Sequence, residues 1–63
     1  MNIFKTIAKK LNIRENQVEK TVALIDEGNT IPFIARYRKE VTGGLDDALL
    51  RDLYDSLIFM RNL

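Results

Sequence analysis

Apolar residues recur at helical spacing in four runs of this chain, and the first three are closed by residues that stop a helix. Ile3, Phe4, Ile7, Ala8 and Leu11 form the first run and Asn12 closes it. Val18, Val22 and Ile25, widened by Leu24, form the second, which ends at Gly28-Asn29. Phe33, Ile34 and Tyr37 mark the third, with Pro32 near its start and Gly43-Gly44 after it. Leu49, Leu50, Leu53, Leu57 and Met60 make the fourth. The 3.6-residue period excludes strands and predicts an all-α fold. Isolated helices this short are marginal in water, so each must bury its stripe on the others. The predicted product is a small bundle of about four short helices.

The end signals sharpen the boundaries. Asn2 is suited to cap a first helix over Ile3–Leu11, and Asn12 tolerates the left-handed backbone that closes one. A second helix is expected over Glu15–Glu27. The third opens near Asn29 or Thr30, with Pro32 tolerated in its first turn, and continues to Gly43. Asp46 caps the fourth, with Leu45 and Leu50 placed as a hydrophobic staple. The predicted core is Ile7, Leu11, Val18, Val22, Ile25, Phe33, Ile34, Leu50, Leu53 and Leu57, with Tyr37 beside Phe33 on the apolar side of the third helix. The fourth helix meets no stop signal before Leu63, so the chain is expected to be one helical module, residues 1–63, of a larger protein, with its last helix truncated. At 63 residues such a module is expected to be only marginally stable.

Residue types narrow the chemistry. The chain has neither Cys nor His, which removes disulfides, thiolate ligands and the commonest general base. Asp46, Asp47, Asp52 and Asp55 are the carboxylates that could be proposed as a metal or acid–base set. Two are explained by helix capping, and the other two fall beside Arg51 on the solvated face. There is no phosphate-binding glycine loop and no activated nucleophile. No enzyme, cofactor or metal is expected. No apolar run reaches the roughly 20 residues of a membrane span, and Lys5, Lys9 and Lys10 interrupt any secretory pattern. The expected location is the cytoplasm.

Net charge is only +1, but it is uneven. Residues 29–44 hold three basic groups against one acid, a balance of +2, and residues 45–63 hold two against four, a balance of −2. Three features bear on partners. The stretch IAKKLNIRENQVEKTV, Ile7 to Val22, resembles a helix-turn-helix, with Ala8 at the crossing and Asn12 in the turn. Its second helix has Lys20 against Glu15, Glu19, Asp26 and Glu27, so phosphates would be repelled from it, and packing is the favoured role. The basic run Arg36 to Lys39 presents Arg36, Arg38 and Lys39 to phosphates, with Tyr37 able to stack on a base. Its bland reading is a solvated face, with Arg36 paired to Glu40 at i, i+4. The first helix sets Lys5 and Lys9, with Lys10, against an apolar face. It suits an anionic surface, but the other helices offer that face a dry partner, so no membrane is expected.

The stretch NTIPFIARYRKEVTGGLDD, residues 29–47, resembles the signature near the N-terminus of the Tex family of bacterial transcription accessory proteins. The unbroken run Pro32 to Glu40 carries the match, and Gln17-Val18, Leu24 to Gly28 and Leu57 to Leu63 agree with it. The resemblance implies a helical N-terminal region ahead of a ribonuclease-H-like domain, helix-hairpin-helix elements and a C-terminal OB-fold. It implies transcription-associated binding of RNA or DNA, mainly through domains beyond these residues, with RNA polymerase as an implied protein partner. Within this stretch the phosphate-contacting residues would be Arg36, Arg38, Lys39, Lys9 and Lys10. The alternative is a scaffold or docking module packed on later domains or on polymerase.

Overall fold

The computed structural model describes residues 2–62. Helix α1, Ile3–Leu11, begins where Asn2 Oδ1 accepts the Lys5 amide at 3.2 Å. It ends at Asn12, whose φ of 58° lets the Ile13 N–H return to the Ala8 carbonyl at 2.9 Å. This left-handed closure satisfies carbonyls that would otherwise be orphaned. Ile7 and Ala8 face inward, as the period demands.

Helix α2, Glu15–Asp26, follows after a three-residue link. Its N-cap, Arg14, has no side-chain acceptor to offer. Gln17 compensates: its Oε1 accepts the Arg14 N–H at 2.9 Å. Its Nε2 donates to the Thr42 carbonyl at 3.0 Å, so one side chain caps α2 and ties it to a segment 25 residues away. Thr21 is fully buried and donates its hydroxyl to the Gln17 carbonyl at 2.7 Å. Asn29 folds back to close α2 through Nδ2 to the Leu24 carbonyl at 2.8 Å.

The expected third helix is two helices. Helix α3, Ile31–Tyr37, starts at Thr30, whose hydroxyl accepts the Phe33 amide at 3.3 Å, with Pro32 in the first turn. Helix α4, Lys39–Thr42, follows at once and closes at Gly43, φ 77°. Arg38 joins them at φ −128°, ψ 29°. The break has a tertiary cause. α3 packs on α5 and α4 packs on α2, and one straight helix cannot reach both. Neither Gly nor Pro marks the site. Helix α5, Asp47–Arg61, is capped as expected by Asp46 Oδ1, which accepts the Leu49 amide at 2.9 Å. The helix ends at Arg61 with Asn62 in a turn, short of the expected run to Leu63, which lies outside the described residues.

α5 forms the spine, with α1 and α3 packed on it and α2 on α1. The buried apolar residues are Ile7, Ala8, Val18, Val22, Ile34, Leu45, Leu50, Leu53 and Leu57. Leu11, Ile25 and Phe33, expected in the core, are only half-buried, because they sit at the margins of their stripes. Tyr37 is 56% exposed. It is the last residue of α3, and its ring pairs with Phe33 and not with the core. Ala8 and Leu45 join the core instead. Thr42 is buried too, its hydroxyl donating to the Lys39 carbonyl and accepting the Leu45 amide, both at 3.3 Å. The Cα radius of gyration, 10.5 Å, is close to the roughly 10.6 Å expected of a globular chain of this length.

Candidate nucleic-acid interface

Basic side chains are placed by the caps and breaks just described. α1 carries no acid, and its Lys9 and Lys10 occupy the last turn. There the negative end of the helix dipole favours cations, a local reason for their position that involves no partner. Lys5, Thr6, Lys9 and Lys10 line one shallow surface groove, and no carboxylate lines it. Three ammonium groups thus line this groove on one short helix that carries no acid. Lys5 is not among the residues that the sequence assigns to phosphates, and its i, i+4 relation to Lys9 is the signal that adds it.

Arg36 and Lys39 are exposed and line a second groove, with Pro32, Ala35, Asp46, Asp47 and Arg51. The break at Arg38 puts them on different helices, yet they still face the same depression. Its charge is mixed. Asp46 is held at the α5 cap, and Asp47 lies 3.4 Å from Arg51 Nε. The expected Arg36–Glu40 ion pair is absent among the described residues, whose ion pairs are Asp47–Arg51 and Asp26–Arg61. The break at Arg38 removes the continuous turn that an i, i+4 pair requires.

Arg38 lines neither groove. Its guanidinium carbon sits 4.9 Å above the centre of the Phe33 ring, and Nη1 donates to the Tyr37 carbonyl at 3.0 Å. Phe33 and Tyr37 pair with ring centroids 5.2 Å apart and planes tilted by 48°. A cation over an aromatic face gains about 0.5–1 kcal/mol at exposed sites. Arg38 thus fastens the α3–α4 junction. The five residues expected to contact phosphate therefore fall in three places: Lys9 and Lys10 on α1, Arg36 and Lys39 in the α3–α4 groove, and Arg38 on its aromatic pair.

One ionic contact lay beyond sequence reasoning. Arg61 Nη1 and Nη2 meet Asp26 Oδ1 and Oδ2 at 2.9 and 3.0 Å, joining the C-terminal ends of α2 and α5. The partners are 35 residues apart, so no local spacing announces them. The hydrogen bonds from Arg61 lower the Asp26 carboxyl below its ordinary value, and the same bonds raise Arg61. A depressed carboxyl stabilises the fold above its unfolded pKa, and that contribution fades as pH falls through the folded value. In a 13C-detected pH titration, Asp26 is expected to titrate below an ordinary aspartate. In Arg61→Ala its midpoint returns upward towards that range, and an unchanged midpoint would show that the fork is not populated in solution. The side chains are about half exposed, so the effect on overall stability is small.

No group of three or more Asp, Glu, His or Cys among the described residues could hold a metal ion. No helix among them is long and apolar enough to cross a membrane.

With this geometry in place, the comparisons with known proteins are specific. A family model described as the Tex-like protein N-terminal domain matches residues 1–63. Protein YhgF of Escherichia coli K12 is 56% identical over 59 residues, covering 94% of this chain and 8% of that protein. The transcriptional accessory protein Tex of Neisseria gonorrhoeae is 48% identical over 63 residues, covering all of this chain and 8% of that protein. The human S1 RNA-binding domain-containing protein 1 is 33% identical over 60 residues, 95% of this chain and 6% of that protein. The chain thus spans under a tenth of the length of these curated relatives.

Proposed function

Since the chain belongs to the family of Tex-like protein N-terminal domains, we propose that it is the non-catalytic helical module at the head of a cytoplasmic, transcription-associated protein that binds nucleic acid. Residues 1–63 form one unit of that protein. Its own contribution is a weak, sequence-independent contact with phosphates. The observation that carries this reading is the α1 groove lined by Lys5, Lys9 and Lys10 without a carboxylate. Arg36 and Lys39 add a second, weaker contact. Arg38 contributes through whichever N–H groups its stack on Phe33 leaves free. RNA or DNA recognition by base sequence has no counterpart here, so the bulk of binding falls to the rest of the protein. The names of two relatives, a transcriptional accessory protein and an S1 RNA-binding domain-containing protein, support the same association.

Fluorescence anisotropy with a labelled single strand and a labelled duplex tests the reading. Neutralising about three phosphates on duplex DNA implies a log–log salt slope near −2.7, so affinity should fall roughly 40-fold between about 50 and 200 mM salt. Lys5→Ala/Lys9→Ala/Lys10→Ala should abolish most of that slope, and Arg36→Ala/Arg38→Ala/Lys39→Ala should reduce it less. Binding that ignores salt, or no binding at high micromolar concentration, would refute it.

A second reading is a scaffold or docking module that packs on later domains or on RNA polymerase. It draws on the large apolar side chains left open on α5, namely Tyr54, Ile58 and Phe59.

A further inference from the structure

The outer face of α5 is unusual for a helix of so small a bundle. Phe59 is 66% exposed, Ile58 40% and Tyr54 38%. Tyr54 and Ile58 are i, i+4 and stand in one row, and Asp55 and Phe59 stand in the next. A groove of about 580 Å³, lined by Ile25, Ile31, Pro32 and Arg51 among others, is also lined by Tyr54 and Asp55. The groove and the α5 rows are continuous through these two residues. Together they make an elongated apolar strip that reaches from the start of α3 to the last turn of α5.

The charges along this strip are not balanced. Arg51 is drawn to Asp47 at 3.4 Å, and Arg61 is held by Asp26 at 2.9 Å. Asp52 and Asp55 have no ion-pair partner among the described residues. Asp55 is one turn before Ile58 and Phe59, at i+3 and i+4, and Asp52 is one turn before Asp55. The strip thus holds apolar side chains, one cation, Arg51, already drawn to Asp47, and two carboxylates with no ion-pair partner among the described residues. A nucleic acid is the wrong occupant, because phosphates would meet those carboxylates. A second copy packed face to face would set the carboxylates of one strip against the other's.

We propose that this strip is the docking site of an amphipathic helix with a Lys- or Arg-bearing rim, whose apolar side chains enter the groove beside Tyr54 and cover Ile58 and Phe59 while its cations reach Asp52 and Asp55. The proposal rests on the docking reading above and adds the shape and charge of the occupant. Helix-in-groove recognition uses apolar anchors at i, i+3, i+4 and i+7, which suits a strip of this length. The carboxylates would select the partner's charge, since complementary charge governs discrimination between partners more than raw affinity.

The test uses three labelled helical peptides of roughly 18 residues with one leucine stripe. Their rims are Lys, Gln and Glu. Binding is followed by anisotropy and mapped by amide shifts in 15N-labelled protein. The Lys-rimmed peptide should bind at least roughly tenfold more tightly than the Glu-rimmed one, with shifts confined to Ile25, Ile31 and Arg51–Phe59. Asp52→Lys/Asp55→Lys should invert that order. Ile58→Ala/Phe59→Ala should weaken every peptide by roughly tenfold. Both variants alter exposed positions, and their unchanged amide dispersion would verify the fold. Equal binding of all three rims would overturn the proposed charge and leave the docking reading standing. Shifts on α1 rather than α5 would overturn the site. No binding of any peptide would remove the docking reading from this face as well. Concentration-dependent dimerisation in sedimentation, lost in Phe59→Ala, would make the occupant a second copy and overturn the proposal.

Discussion

Leu53→Ala is expected to lower the thermal midpoint by at least roughly 10 °C, read as loss of helical circular dichroism. Leu53 is fully buried, on the face of α5 that α1 and α3 cover. Truncating a buried leucine removes its transfer free energy and leaves a cavity, together about 2–5 kcal/mol. The whole chain, at about 0.05–0.15 kcal/mol per residue, has only about 3–9 kcal/mol to lose. Each kcal/mol shifts the midpoint by roughly 4–8 °C in a domain of this size. The wild type itself should melt below roughly 70 °C. A shift smaller than about 4 °C would mean that the α1–α5–α3 contact relaxes into the space, and that the core is looser than its burial implies.

Gly43→Ala carries the second large effect, about 2–3 kcal/mol, from two sources that can be separated. Gly43 has φ 77°, where a Cβ is strained by about 1–2 kcal/mol. That Cβ would also stand 2.6 Å from Gln17 Nε2, so Gln17 must swing away. It would then give up its hydrogen bond to the Thr42 carbonyl, worth about 0.5–1.5 kcal/mol. Gly44→Ala is the control. Its φ is 89°, but a Cβ there meets nothing within 4 Å, so it should show the strain alone. Urea denaturation of both variants, each also in a Gln17→Ala background, reads the difference. The Gly43 variant should cost more than the Gly44 one, and the excess should vanish once Gln17 is alanine. An excess that persists would place the cost in the backbone and not in the α2–α4 tie.

Much of this was legible beforehand because it is local. Asn2, Asn12 and Asp46 cap or close helices through side-chain and backbone bonds that span a few residues, and the apolar period reports which face turns inward. α1 over Ile3–Leu11 and the start of α5 after Asp46 follow from such signals alone. The PFIARYRKE run placed the chain in its family for a different reason: a long unbroken match is informative whatever its residues do. That same run was the hardest to read physically. It looks like one amphipathic helix, yet it breaks at Arg38.

The candidate site divides along the same line. That lysines gather on α1 and arginines follow Pro32 is plain in the primary structure. Whether they face one partner is not. Arg36 and Lys39 keep a common groove although they end up on different helices, while Arg38 turns onto Phe33 and Tyr37 is left in solvent. Asp26 and Arg61 meet across 35 residues, and Gln17 reaches Thr42 across 25, with no spacing rule to foretell either.

By itself, then, the sequence determined the helical class, the caps, most of the core and the family, since each depends on neighbours within about one or two turns. Only the tertiary structure decided where the third helix breaks, which aromatic side chains stay open, and which charges are already spent on one another. Those outcomes depend on α3 and α4 having to satisfy different partners, α5 and α2, at once. A competition between distant surfaces leaves no periodic trace in either one.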